Sequence, residues 1–263
     1  MVAHAAHFDS PHRLHKRVSD RPQDWLGTTP LLDLDDSKLR LKARSLVQLC
    51  RTDRDKALAI YRFVKRMPYT KRIKMQYPTA RDVLEARAGD GDDKATLLIA
   101  LMRSAGIPAR LRYMEMRGEM LRGLVPRSTL AARPLAEFWL GHWVRTDTYI
   151  FDTGYVAAAR QRLKDHDWEW GYGIHRNGQS IWNGTDDAFL GGYRTEQDPM
   201  VVRTLGVYHD PLQFVTTDEF RRNFVSAAGL RWNLQSLLMR KAVRQLRTEG
   251  DPHSPASHVR KSS

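Results

Sequence analysis

Apolar and polar residues follow different periods along the chain, and these periods predict helices first and strands later. Before residue 90, apolar positions recur every three or four residues, which is typical of amphipathic helices. The first and third segments start at residues that cap helices, and Pro68 ends the second segment. The predicted helices run from Asp36 or Ser37 to about Cys50, from Arg54 to Arg66, and from Thr79 to near Gly89, where Asp82 completes a reciprocal cap.

A fourth segment, from Asp92 to Ala105, is apolar on nearly all sides. It begins with two acidic residues, which suit the positive end of a helix dipole. Gly106 is the expected left-handed residue after its last turn. Because a helix that is apolar all round is normally buried, we predict that this segment is the central helix of the core.

After Gly106 the pattern changes to alternation, which predicts a strand over Arg110–Arg117 and a hairpin that turns at Gly141. The hairpin arms hold Phe138 and Trp139, then Trp143 and Val144, and Tyr149–Phe151 is expected to extend the second arm. Further on, the pattern predicts a helix over Val156–Leu163, strands and turns over Trp168–Trp182, and an amphipathic helical region from Asp218 to about Arg247. Helices followed by strands around one buried helix predict an α+β fold.

The length of 263 residues is enough for one sizeable core with extensions. We expect a disordered basic tail at residues 1–22, one domain at 30–215, a helical region at 216–248 and a second disordered tail at 249–263. No apolar run is as long as a membrane span requires, and the start of the chain lacks the apolar stretch of a signal peptide. We therefore predict a cytoplasmic protein with no membrane span.

Charge and cysteine content narrow the possible chemistry. The single cysteine, Cys50, excludes an intramolecular disulfide and a cysteine-based metal framework, and we expect it to be a buried structural thiol. The histidines near the start lack the spacing of a tetrahedral site, so neither a metal nor another cofactor is predicted. The formal net charge of +13 fits solubility, nucleic-acid binding or attraction to an anionic surface.

Three stretches together resemble the transglutaminase-like superfamily, whose fold is related to papain. The first, Arg87–Arg110, ends in Gly-Ile-Pro-Ala-Arg. The second, Arg133–Trp143, is similar to the family's His-x-Trp-x-Glu hairpin, and the third, Trp143–Asp147, to the strand that ends in the catalytic Asp. The resemblance covers roughly residues 55–155. The aromatic-rich segment Trp168–Trp182 also resembles bacterial members of the family, but less specifically. The resemblance implies a central helix packed on an antiparallel sheet, with an extra C-terminal helix in this chain.

Family members use a Cys thiolate at a helix N-terminus, a His that takes its proton and an Asp that orients the His. Carried over position by position, the Cys falls on Gly91, the His on Arg133 and the Asp on Asp147, while the usual aromatic after the His is Leu135. Glycine has no nucleophile, and arginine stays protonated near neutral pH. The resemblance therefore implies a degenerate triad without ordinary thiol chemistry, in which only Asp147 is retained.

Other residues are weaker candidates for the missing roles. Cys50 lies on a different predicted helix. His142 is five residues before Asp147, and an odd separation along a strand places two side chains on opposite faces. His175 lies in a glycine-rich stretch and is expected to be exposed.

The hairpin register decides what faces Arg133. A three-residue loop ending at Gly141 pairs Phe138 with His142 and Arg133 with Asp147, which would replace the family's His–Asp pair by an Arg–Asp pair. A two-residue loop would place Arg133 opposite Thr148. The sequence leaves this choice open.

Three functional hypotheses fit these observations. The first is a retained cleft that binds a protein, peptide or small ligand without catalysis. The second is an enzyme that acts on amide or peptide bonds through carboxylates or a metal, although acids at a helix start also serve as caps. Its candidate cluster is Asp90, Asp92, Asp93, Glu137 and His142, beside Asp147. The third is a nucleic-acid or anionic-surface binder, based on the net charge and the arginine-rich C-terminal helical region.

Overall fold

A computed structural model of the chain describes residues 18–71, 76–125, 130–191, 197–224 and 229–249. Two single 3₁₀ turns occur at Pro22–Trp25 and Gly118–Leu121. The helices are α1 (Ser37–Val47), α2 (Asp53–Arg66), α3 (Ala80–Ala86), α4 (Gly91–Ser104), α5 (Thr153–Asp165), α6 (Pro211–Val215), α7 (Asp218–Phe224) and α8 (Gly229–Glu249). The strands are β1 (Ala109–Arg117), β2 (Leu130–Trp139), β3 (Trp143–Thr146), β4 (Trp170–Gly171), β5 (Ile174–His175) and β6 (Val201–Tyr208).

Side chains cap the first three helices. Asp36 accepts a hydrogen bond from the first turn of α1, as predicted, and Thr52, which was not predicted as a cap, does the same for α2. Thr79 and Asp82 form the expected reciprocal cap at the start of α3. The prediction that α3 extends to near Gly89 is wrong, because Arg87 adopts a left-handed conformation with φ of 51° and ends the helix after Ala86.

Helix α4 is the predicted central helix. Asp90 caps it by accepting hydrogen bonds from the amides of Asp92 and Asp93, so the helix begins at Gly91, one residue before the predicted start. From Asp93 to Arg103 every residue is buried, with α1–α3 packed on one side and the sheet on the other. Gly106 has φ of 81°, as its predicted role after the last turn requires.

Four antiparallel strands form the sheet in the order β3-β2-β1-β6. Alternation along β2 divides its side chains between two faces: Pro134, Ala136 and Phe138 face α4, while Arg133, Leu135 and Glu137 lie on the outer face. Strand β6 was not predicted, because its sequence does not alternate cleanly. It lies at the sheet edge and pairs with β1 through two register shifts.

Both predicted hairpin registers are wrong. The loop consists of Leu140, Gly141 and His142, closed by a bond from the Leu140 amide to the His142 carbonyl, so Trp139 pairs with Trp143 and Ala136 with Thr146. The observed register differs by two residues from the predicted register in which Arg133 pairs with Asp147. A shift of two residues leaves every side chain on the same face of the sheet. The predicted extension over Tyr149–Phe151 is also wrong, since the chain turns after Thr146.

The C-terminal region contains three of the described helices. α6 precedes Asp218, and α7 and α8 lie within the helical region predicted from Asp218 to about Arg247. α8 packs against α5, and Val243 and Leu246 join the main core. The prediction of an α+β fold with a buried central helix, an antiparallel sheet and an added C-terminal helix is confirmed.

Within the described ranges, no helix combines the length and the apolar character that crossing a membrane requires.

Candidate functional site

A cavity of about 200 Å³ opens at the N-terminus of α4. Gly91 and its neighbours contribute one wall, β2 contributes Arg133 and Pro134, and α8 covers the cavity with Ser236 and Met239. Most of the remaining lining is apolar or aromatic, including Met116, Met120, Phe151, Phe214 and Phe220. The sequence-predicted cleft therefore exists, and the C-terminal helix, which lies outside the motif core, forms part of it.

Gly91 occupies the first position of α4, where the family resemblance places a nucleophile. Its φ is not in the left-handed region, so the backbone does not require glycine there. A Cβ added at Gly91 would lie 3.6 Å from the side chains of Pro134 and Ile150, which is an ordinary van der Waals contact. A small side chain fits at this position, but the residue present has no group that can attack a carbonyl.

Arg133 and Asp147 form a buried ion pair beside the cavity. The Arg133 Nη2 lies 2.7 Å from the Asp147 Oδ2, and both residues are less than a tenth exposed. The Arg133 Nη1 donates to the Gly173 carbonyl at 2.8 Å, and the Leu190 amide donates to the Asp147 Oδ1 at 2.8 Å. Nη2 is close enough for an ion pair but is not aligned as a hydrogen-bond donor, and Nε also makes no hydrogen bond. The predicted Arg–Asp contact thus forms through side chains rather than by direct cross-strand pairing.

A second carboxyl group lies near this ion pair. Asp198 is buried, and burial raises the pKa of its carboxyl. A hydrogen bond from the Met200 amide and the positive charge of Arg133 oppose that rise in pKa, while the negative charge of Asp147 adds to it. A small cavity of about 20 Å³ is lined by Arg133, Asp147 and Asp198 together with Met114 and Met116. Asp198 was not predicted as a site residue, because it is distant along the chain from every recognised motif.

The acidic residues at the start of α4 have structural partners. Asp90 caps the helix and forms an ion pair with Lys71 at 2.9 Å, and Asp93 accepts a bond from the Asp90 amide. Asp92 accepts a 2.8 Å hydrogen bond from the Tyr113 hydroxyl. Burial works against the Lys71 charge, but Asp90 and Asp92 outweigh it and raise the pKa of Lys71. Asp90 and Asp92 line the cavity, whereas Asp93 lies behind it.

Two members of the predicted cluster lie elsewhere. Glu137 is on the outer face of β2, where Arg110 and Arg112 bind its two carboxylate oxygens. His142 is exposed in the hairpin loop. The prediction that all five residues gather at the cleft is therefore wrong. Glu137 lies four residues beyond Arg133 along β2, and His142 lies in the loop that follows this strand. Among the described residues, no group of three His, Cys, Asp or Glu side chains is arranged to hold a metal ion.

The other two candidate replacements also differ from expectation. His175 is buried on β5, not exposed; its Nδ1 accepts a bond from the Asn177 amide, and its Nε2 lies 3.2 Å from Glu169. Both ring nitrogens of His175 are therefore engaged. Cys50 is half-buried instead of buried, since it follows the end of α1, and its Sγ points to the Leu46 carbonyl.

Sequence reasoning missed several groups that shape the site. Tyr113 was read only as part of a strand, and burial, followed by Asp92, raises the pKa of its hydroxyl well above the usual range. Gly173 and Leu190 act through backbone atoms, which leave no residue-type signal. The alternation of β1, with Tyr113 on the same face as Leu111, was the one available indication that its ring points toward α4.

Comparison with known families agrees with this architecture. Residues 41–148 match the model of the transglutaminase-like superfamily. The matched region contains Gly91, Arg133 and Asp147.

Among solved structures, a protein from Cytophaga hutchinsonii that is provisionally named a cysteine protease matches with 24% identity and a TM-score of 0.39. The alignment covers 49% of this chain and 42% of that one. No curated protein matches the chain.

Proposed function

We propose that this protein uses the cavity at the start of α4 to bind a ligand and does not catalyse thiol-dependent acyl transfer. The observation that carries the proposal is that Gly91 and Arg133 line one cavity of about 200 Å³. By family resemblance these are the positions of the nucleophile and of its base. A cleft that keeps its volume without those two groups is suited to binding.

The geometry around Arg133 supports this proposal. Its guanidinium is tied to Asp147 and to the Gly173 carbonyl, so the retained carboxylate neutralises a permanent cation instead of orienting an imidazole. Of the two histidines considered as replacements, His142 lies in the exposed loop, and both ring nitrogens of His175 are engaged by Asn177 and Glu169. Neither is placed to take a proton from a group at Gly91.

The lining defines the class of ligand. Apolar and aromatic side chains dominate it, and its charged residues are two cations, Lys71 and Arg133, and two carboxylates, Asp90 and Asp92. A balanced, mostly apolar cavity favours an uncharged group with one bulky apolar part and a few polar atoms. An apolar side chain of a peptide, with its flanking amides, has this chemistry.

A set of N-acetyl amino-acid amides tests the proposal. We expect the Phe and Leu amides to raise the melting temperature of the intact protein and the Glu amide to have no effect, because ligands that bind only the folded state stabilise it. Gly91→Phe should abolish the response by filling the cavity. Gly91→Ala is the matched control and should retain it, since a Cβ there meets nothing closer than 3.6 Å.

Two outcomes would overturn the proposal. If none of the amides shifts the melting temperature, or if Gly91→Phe responds as the wild type does, the cavity is not the binding site. If the amides bind and are then hydrolysed or transferred to an amine, the protein is an enzyme that uses a group other than a thiol. Mass spectrometry of the amides after incubation separates these outcomes.

A further inference from the structure

The outward face of α8 forms a continuous basic stripe. Its buried side carries Ser236, Met239, Val243 and Leu246, which recur every three or four residues. The opposite side is exposed and carries Arg240, Lys241 and Arg244. The segment from residue 236 to 248 contains no acidic residue. The three charges therefore project together from one side of the helix without an intervening carboxylate on that helix.

Two large apolar side chains accompany these charges. Leu237 is 47% exposed and Leu238 is 40% exposed, one turn before Arg240 and Lys241. Leucine side chains beside a basic stripe are typical of helices that lie in the interface of a membrane. Binders of single-stranded nucleic acid instead combine such charges with aromatic rings on which bases stack, and the described side chains of this face include none.

Another exposed helix provides a contrast. α1 and the turn after it also present arginines, Arg40, Arg44 and Arg51, and two exposed leucines, Leu41 and Leu49. The two leucines of that surface are eight residues apart, whereas Leu237 and Leu238 are adjacent and lie one turn before Arg240 and Lys241. The apolar contact that a lipid interface requires is therefore concentrated on α8.

We propose that the face of α8 formed by Leu237, Leu238, Arg240, Lys241 and Arg244 docks on an anionic lipid surface. The cations are attracted to the headgroups, and the two leucines enter the boundary of the acyl chains. The helix lies along the surface and does not cross it. The cavity at Gly91 is covered by the opposite side of the same helix, through Ser236 and Met239, so surface binding and cavity binding are independent tests of two faces.

Vesicle sedimentation of the full-length protein tests the proposal. We expect binding to phosphatidylcholine vesicles that contain phosphatidylglycerol and no binding to phosphatidylcholine alone. Each cation near such a surface contributes about a fivefold gain in affinity, so Arg240→Gln, Lys241→Gln and Arg244→Gln together should weaken binding by about a hundredfold. Leu237→Gln with Leu238→Gln should weaken the binding that persists at high salt.

Matched variants on α1 supply the controls. Arg40→Gln, Arg44→Gln and Arg51→Gln remove the same net charge, and Leu41→Gln with Leu49→Gln removes the same apolar side chains. We expect both sets to stay within about twofold of wild type, because the α1 surface is not the docking face. Circular dichroism confirms that each variant remains folded.

Three results would overturn the proposal. Equal losses in the α1 and α8 triple variants would show a general charge effect. Binding that ignores the leucines and is displaced by random double-stranded DNA would indicate a nucleic-acid surface instead. An absence of binding to anionic vesicles at low salt would exclude a lipid partner.

Discussion

Two buried arginine–carboxylate groups lie on the same face of β2, and they differ in how completely they are satisfied. At the far end, Glu137 binds Arg110 and Arg112 through both carboxylate oxygens, and Arg110 stacks 3.9 Å from the Trp143 ring centre. At the cleft end, the Arg133 Nε and Nη2 make no aligned hydrogen bond, although Nη2 lies 2.7 Å from Asp147.

This difference distinguishes a group that only stabilises the sheet from a group that also borders the cavity. The far group closes its hydrogen bonds within the sheet, as a buried charge needs if it is to be stable. The cleft group connects the strand to the Gly173 and Leu190 loops and adjoins a cavity. We infer that the far group fixes the sheet, while the cleft group keeps the walls of the cavity in place.

Breaking the far group should have the largest effect on stability. Glu137→Gln leaves Arg110 buried without its carboxylate, and we expect a loss of about 3–5 kcal/mol in the free energy of unfolding. Urea denaturation measures this loss. Glu119→Gln, at an exposed position, is the control and should stay within about 0.5 kcal/mol of wild type. A loss at Glu137 no larger than at Glu119 would remove the far group's structural role.

Breaking the cleft group should cost less. Arg133→Met removes the cation, but Asp147 keeps its bond from the Leu190 amide, so we expect a loss of about 1–3 kcal/mol in the free energy of unfolding. Adding Asp147→Leu should recover at least half of that loss, because an apolar pair leaves no unpaired charge. A double variant less stable than Arg133→Met alone would contradict this account of the pair.

Lys65 is a buried cation that binds backbone carbonyls, and it can be compared with the two arginine–carboxylate groups. Lys65 donates to the carbonyls of Thr148 and Phe151, just after Asp147, and burial lowers the pKa of its amine to about 8. Between pH 8 and 10.5 the unfolded state therefore binds more protons than the folded state, and this group makes the free energy of unfolding rise with pH.

The matching variant isolates this contribution. Relative to Lys65→Met, the wild type should gain about 1–2 kcal/mol in the free energy of unfolding between pH 8 and 9.5. Urea denaturation at a series of pH values measures the difference. A difference that does not change with pH would mean that the Lys65 amine titrates normally.

The smallest expected effect is at Gly91. Because its φ is not left-handed and a Cβ fits, Gly91→Ala should raise the free energy of unfolding by about 0.4–1 kcal/mol through the unfolded state. Gly106→Ala is the matched control: its surroundings are open, but its φ of 81° disfavours alanine, so stability should fall. Thermal melts measure both, and destabilisation by Gly91→Ala would show that glycine is structurally required at the cleft.

Local patterns predicted the helical half of the fold well. The caps of α1 to α4 and the left-handed Gly106 depend on neighbouring residues, so the sequence specifies them directly. The hairpin register and β6 depend on a loop bond at Leu140 and on bulged long-range pairing with β1, which local alternation does not encode.

The candidate site shows the same division. The contact between Arg133 and Asp147 was predicted because it requires only that both side chains share a face, and the observed register preserves that. The error at His175 has the same origin as the omission of Asp198: both are buried by distant segments that a local pattern does not reveal.

The most direct test of the central claim is acyl transfer from a glutamine-donor peptide to a fluorescent primary amine, measured with the wild type and with Cys50→Ser. The account predicts no transfer by either protein, since the cleft has glycine and arginine at the positions of the nucleophile and the base. Gly91→Cys with Arg133→His, in the Cys50→Ser background, shows whether the assay detects a restored triad. Transfer by the wild type would contradict the account, and its loss in Cys50→Ser would assign the activity to the Cys50 thiol.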